Sequence, residues 1–187
     1  MTRWVFLALA GGLTAAHAEP LVRTGTSFYY IDGASALVLT EQMKQKGPTG
    51  VDGNRHPART KWDVQWKFRH NMHDGLCKME EVAVAVGITT IRPRWRNEAT
   101  GSASLKARWN RFIDAIDRGA NFHSEQATRA GTQIEAALTG LKTEKTCDAL
   151  TETANKSASE ILDKRKASSE DYDQRTDYGR KDGASLI

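Results

Sequence analysis

Between residues 104 and 141 the apolar stripe recurs in steps of three and four. It runs through Leu105, Trp109, Phe112, Ile113, Ile116, His123, Ala127, Ala130, Ile134, Ala137, Leu138 and Leu141. Residues so spaced share one face of a helix, so this segment predicts one long amphipathic helix. Gly119-Ala120 lies near its middle, and glycine costs about 1 kcal/mol relative to alanine in a helix interior. A kink is therefore permitted there. After a short polar turn, a second helix is predicted over 147–168, with Leu150, Ala154, Ile161 and Leu162 inward. The short link predicts that the two helices are antiparallel neighbours.

The N-terminal half carries a different period. Over 60–69, Trp62, Val64, Trp66 and Phe68 alternate with Lys61, Asp63, Gln65, Lys67 and Arg69, which marks a half-buried strand. Over 77–90, Val82, Val84, Val86 and Ile88 share one face, with the small residues Ala83, Ala85 and Gly87 on the other. The polar loop 70–75 joins the two segments as an antiparallel hairpin. A short aromatic strand is predicted over 27–31 and a helix over 34–46, closed by Gly47-Pro48. The polar loop 49–59 follows. The tail, 169–187, has no helical period and a composition that reads as disordered, although Tyr172, Thr176 and Tyr178 give it some ordering content. The expected class is α+β, a small antiparallel sheet packed on a pair of long antiparallel helices.

The first residues bear on location. Arg3, the apolar run 4–13 and the small-x-small site Ala16-His17-Ala18 read as a signal peptide over 1–18, leaving 19–187 as a single domain. The apolar run is well short of the roughly 20 residues that cross a bilayer, so stable membrane insertion is not expected. Removing 1–18 takes away Arg3 and no acid, so the formal charge falls by one from +4. That is too little to point to nucleic acid. In an exported chain, Cys77 and Cys147 read as one disulfide, with two free thiols as the alternative. Closing a loop of about 70 residues would stabilise the fold by roughly 4 kcal/mol. The expected location is periplasmic or secreted, in a bacterium.

The order of motifs carries a resemblance. It runs from Tyr30-Ile31-x-Gly33 through Gly47-Pro48, Thr60-x-Trp62-x-Val64-x-Trp66 and Cys77 with the Val82/Val84/Val86 strand. It continues with Pro93-x-Trp95, Trp109-x-x-Phe112, Cys147 and the tail from Tyr172-Asp173 to Gly183-Ala184. This series resembles bacterial domain-of-unknown-function family 922, described as predicted secreted zinc-dependent proteases. The resemblance implies a zincin-like fold. It also implies an H-E-x-x-H motif after the Trp-x-x-Phe segment, with two imidazoles one turn apart gripping zinc and the glutamate as general base. A third histidine before the tail glycine completes the implied ligand set. Carried over by position, the second histidine is His123. Gly119 stands in place of the first, Ala120 in place of the base and Tyr178 in place of the third ligand. No histidine in the chain is followed by glutamate. A catalytic zinc site needs three protein ligands and an open position, so neither a catalytic residue nor a cofactor is expected.

Other constellations have plainer accounts. His123-Ser124-Glu125 matches half of a zinc-deaminase signature whose P-C-x-x-C half is absent. His70-x-x-His73-Asp74 could bind a metal at the hairpin tip, and a polar turn containing histidines is the plainer account. Arg92, Arg94, Trp95 and Arg96 interleave cations with an aromatic, as an anion- or glycan-binding strip would, and a solvated loop with Trp95 packed inward is the alternative. Lys164-Arg165-Lys166 suits a helix C-terminus. The expected function is a noncatalytic, protease-like binding module for an envelope protein, a peptide or a cell-wall polymer. Its groove would contain His123, Tyr178, Asp173 and Asp177. The alternative is an active zinc metallopeptidase with a rearranged site, pairing His123 with Asp173 or Asp177. Glu125 does not qualify, because residues two apart do not share a helix face. A purely structural envelope protein is a third reading.

Overall fold

The computed structural model describes residues 19–187, and the expected signal peptide lies outside them. The fold is α+β. Its elements are β1 (Leu21–Ile31), α1 (Ala36–Lys46), β2 (Arg59–His73), β3 (Leu76–Trp95), α2 (Ala103–Thr139) and α3 (Cys147–Thr176). Short 3-10 turns cover Glu98–Thr100 and Arg180–Asp182.

The hairpin is present as its alternation requires. β2 pairs antiparallel with β3, turning through Asp74-Gly75, both with positive φ. That backbone follows the right-handed twist of the flanking strands. Val64 is buried, Trp62, Trp66 and Phe68 are half-buried, and the intervening charged residues are exposed. The sheet is not wholly antiparallel, however. β1 runs parallel to β3, from Leu21 beside Ala85 to Ile31 beside Trp95, giving the order β1-β3-β2. β1 is also longer than the expected segment at 27–31, because an edge strand exposed along most of its length carries no burial alternation to read.

Helix starts follow from local chemistry. Ser35, Ser102 and Thr146 cap α1, α2 and α3, each accepting the backbone N–H three residues on. α2 stays helical through Gly119 for 37 residues, so the permitted kink is not a break. α3 does not end near 168 as expected; it continues to Thr176, closed by Asp177 in the left-handed conformation. Burial and aromatic stacking hold this last stretch. Ser169 and Thr176 are buried, and Tyr172 stacks on Phe122 of α2 at 4.0 Å. The residues beyond are fixed too. Ala184 and Leu186 are buried in the core, and Arg108 donates to the Leu186 carbonyl.

The core has two parts. One gathers Ile31, Leu39, Met43, Trp95, Trp109, Phe112 and Leu186. The other packs the sheet residues Val64, Val84, Val86 and Ile88 against α2 (Ala127, Ala130, Ile134, Leu138) and α3 (Ala154, Ala158). Alanines at the helix contacts let the backbones approach closely. At Gly131 a Cβ would lie 2.5 Å from Val86 Cγ2, so only glycine fits. The Cys77–Cys147 disulfide is formed, joining the starts of β3 and α3. Among the described residues no helix is long and apolar enough to cross a membrane.

Candidate binding cleft

A cleft of about 410 Å³ opens where the middle of α2, the end of α3, the start of β2 and the loop before it meet. α2 contributes Gly119, Ala120 and His123, which fall on one side because His123 lies four and three residues after the other two. Tyr172 and Asp173 come from α3, Tyr178 from the turn beyond it, and His56 from the loop. Lys61, Trp62 and Lys166 complete its rim.

His123 is committed. Its Nε2 lies 3.0 Å from Asp173 Oδ1, with the imidazole 12% exposed, and the Tyr172 ring meets it edge-on at 5.6 Å. Tyr178 belongs to a second cluster. Its ring stacks on His56 at 3.8 Å, while His56 Nε2 lies 3.0 Å from Asp52 Oδ1. The His56 hydrogen bond is the main cause holding the Asp52 carboxyl well below the usual carboxylate range, with Asn54 assisting. Desolvation and then the Asp52 charge push the Tyr178 hydroxyl upward. Asp177, Tyr178 and Gly179 all have left-handed backbones. For the two non-glycine residues that costs on the order of 1–2 kcal/mol each. The turn is over-determined by the Tyr178 N–H donating to the Asp173 carbonyl (2.7 Å) and the Gly179 N–H donating to Thr176 Oγ1 (3.0 Å).

These residues do not fit a three-ligand zinc site. Gly119 and Ala120 offer no ligand atom, Tyr178 is stacked on His56, and His123 is paired with Asp173. There is room at the first position, since a Cβ on Gly119 would meet only Tyr172 Oη, at 3.9 Å.

Of the four groove positions read from the sequence, His123, Asp173 and Tyr178 line this cleft, together with Gly119 and Ala120. Asp177 does not join them. It pairs with Arg180 and lines a neighbouring cavity of about 360 Å³. The arginine strip is dispersed into the fold. Arg92 pairs with Asp117 and Arg96 with Asp32, while Arg94 lies over the Phe28 ring, 5.5 Å from its centroid. Trp95 is in the core, donating to the Gly33 carbonyl and to Asn97. His70 and His73 part company as well. His70 reaches Thr151 and His73 reaches Glu80, because residues three apart on a strand face opposite sides. His56 was not anticipated; a single histidine in a polar loop has no periodicity to mark it.

No curated protein and no solved structure matches the chain. Residues 26–179 match the family described as "Bacterial protein of unknown function (DUF922)". The match runs from within β1 to the left-handed turn after Tyr178, and so takes in every cleft residue named above. The chain therefore belongs to that bacterial family, DUF922.

Proposed function

We propose that this protein is a noncatalytic, protease-like binding module of the bacterial envelope, exported through a signal peptide over 1–18, that holds a peptide, an envelope protein or a cell-wall polymer in the cleft beside α2. One observation carries the reading. Gly119, Ala120, His123 and Tyr178 occupy the positions where the family resemblance implies two zinc ligands flanking a base and a third ligand, and all four line one cleft. Two of the implied ligands are replaced there by Gly and Tyr and the implied base by Ala, and the cavity is present. The pairs Gln133–Arg165 and His123–Asp173 run in opposite senses along α2 and α3, which supports reading them as an antiparallel pair. Aromatic walls from Trp62, Tyr172 and Tyr178, with Lys61 and Lys166 at the rim, suit an extended polar ligand with apolar segments.

The test is titration of the ¹⁵N-labelled protein with short peptides and with soluble cell-wall fragments. Shifts should cluster on His123, Tyr172 and Tyr178, and Tyr178→Ala should weaken binding about tenfold, the effect of losing one aromatic anchor. Absence of perturbation across both panels, or perturbation confined to another surface, contradicts the reading. A second reading, a zinc metallopeptidase with a rearranged site, is favoured by the His123–Asp173 contact at 3.0 Å, which sets a carboxylate beside an imidazole. Stoichiometric zinc uptake that depends on both residues would select it.

A further inference from the structure

We infer that the Cys77–Cys147 disulfide masks a metal site: once reduced, the two thiolates and the imidazole of His70 hold one thiophilic ion such as zinc. The ligand atoms of these three residues all lie within 4.8 Å of one another. Zinc bonds of about 2.3 Å to sulfur and about 2.0 Å to nitrogen set tetrahedral ligand separations of roughly 3.5–3.8 Å. The imidazole therefore needs to close by only about 1 Å while the sulfurs part. Three ligands of this softness suit zinc or copper(I) over magnesium or calcium.

Two features aim His70 at the sulfurs. Alternation along β2 places His70 on the same face as Val64 and Phe68, the face that packs against α2 and α3. Thr151 Oγ1 donates to the Cys147 carbonyl at 2.9 Å, so its single proton is used. Its lone pair then accepts from His70 Nε2–H, also at 2.9 Å. That tautomer leaves Nδ1 as the nitrogen with a free lone pair, and makes Thr151 a positioning residue. This group lies apart from the cleft and does not depend on the function proposed for it.

Opening the site takes a dithiol reductant. Cys77 is fully buried and Cys147 only half-buried, so the reductant's thiolate attacks Cys147 Sγ and Cys77 leaves as thiolate. The reductant's second thiol resolves the mixed disulfide. Two electrons pass to the cysteines, the reductant becomes a disulfide, and its two protons complete the two thiols. Metal binding then releases both protons to solvent.

The experiment is anaerobic reduction of the protein with a phosphine, followed by titration with cobalt(II) as a spectroscopic stand-in and displacement by zinc. The reduced chain should bind one cobalt with a thiolate charge-transfer band that the oxidised chain lacks. Thr151→Val should weaken binding about tenfold, His70→Gln should weaken it further, and His123→Ala should leave it unchanged. No thiolate band, undiminished affinity in His70→Gln, or loss of affinity in His123→Ala overturns the inference. So does loss of far-ultraviolet circular dichroism on reduction that metal does not restore.

Discussion

At the scale of single residues, the cleft rests on two imidazoles, each tied to a carboxylate. The Asp52 carboxyl is lowered mainly by its hydrogen bond from His56. A depressed carboxyl contributes stability that is fully present above its unfolded value, about 3.9, and lost as pH falls through the lower folded value. His56→Ala should therefore raise the Asp52 pKa toward the ordinary range and remove that contribution in acid. Carboxyl titration by NMR reads the shift, and an unmoved Asp52 would contradict the assigned cause. The positions themselves are open to a gain-of-function test. Gly119 has space for a side chain, and histidine tolerates the left-handed backbone at 178 better than most residues. The triple variant Gly119→His, Ala120→Glu, Tyr178→His should bind about one zinc per chain, as three ligands suffice. A folded triple variant without zinc would refute the positional assignment.

At the scale of elements, α2 packs closely on β3 at Gly131. Gly131→Ala gains about 1 kcal/mol of helix propensity, yet its Cβ would sit 2.5 Å from the buried Val86 side chain. Overpacking of this kind costs about 1–3 kcal/mol, so the net change in a denaturant melt should be destabilising. A more stable variant would mean that α2 can lift off the sheet freely. The same contacts explain which elements were legible in the sequence. α2 and the β2–β3 hairpin bury one face each, and burial writes the period of 3.6 or 2 into the chain. β1 buries almost nothing until Ile31, so its first residues read as loop and its parallel pairing had no signal. The end of α3 buries the polar residues Ser169 and Thr176 and stacks Tyr172 on Phe122, none of which a hydrophobic pattern registers. The Gly119, Ala120, His123 and Tyr178 set came from the resemblance alone. His56 needed the folded chain, because its partner Tyr178 is distant in sequence.

At the scale of the whole molecule, one covalent link ties the sheet to the helical pair across 70 residues of sequence. Cys77→Ala/Cys147→Ala should lower stability by roughly 4 kcal/mol on the chain-entropy account. Far smaller loss would mean that the two core clusters and the Cys77–Glu144 backbone pairing hold this corner unaided. The cleft lies where loop, hairpin, both long helices and tail meet, so its shape is a property of the entire fold. The proposed function requires this cleft to bind without zinc chemistry. Its most direct test is the metal content of the oxidised protein, purified without a histidine tag and equilibrated with zinc, by elemental mass spectrometry. Zinc far below one per chain is the expected result. Close to one zinc per chain, lost in His123→Ala and kept in a His70→Ala/His73→Ala double variant, would contradict that requirement and identify a metallopeptidase site instead.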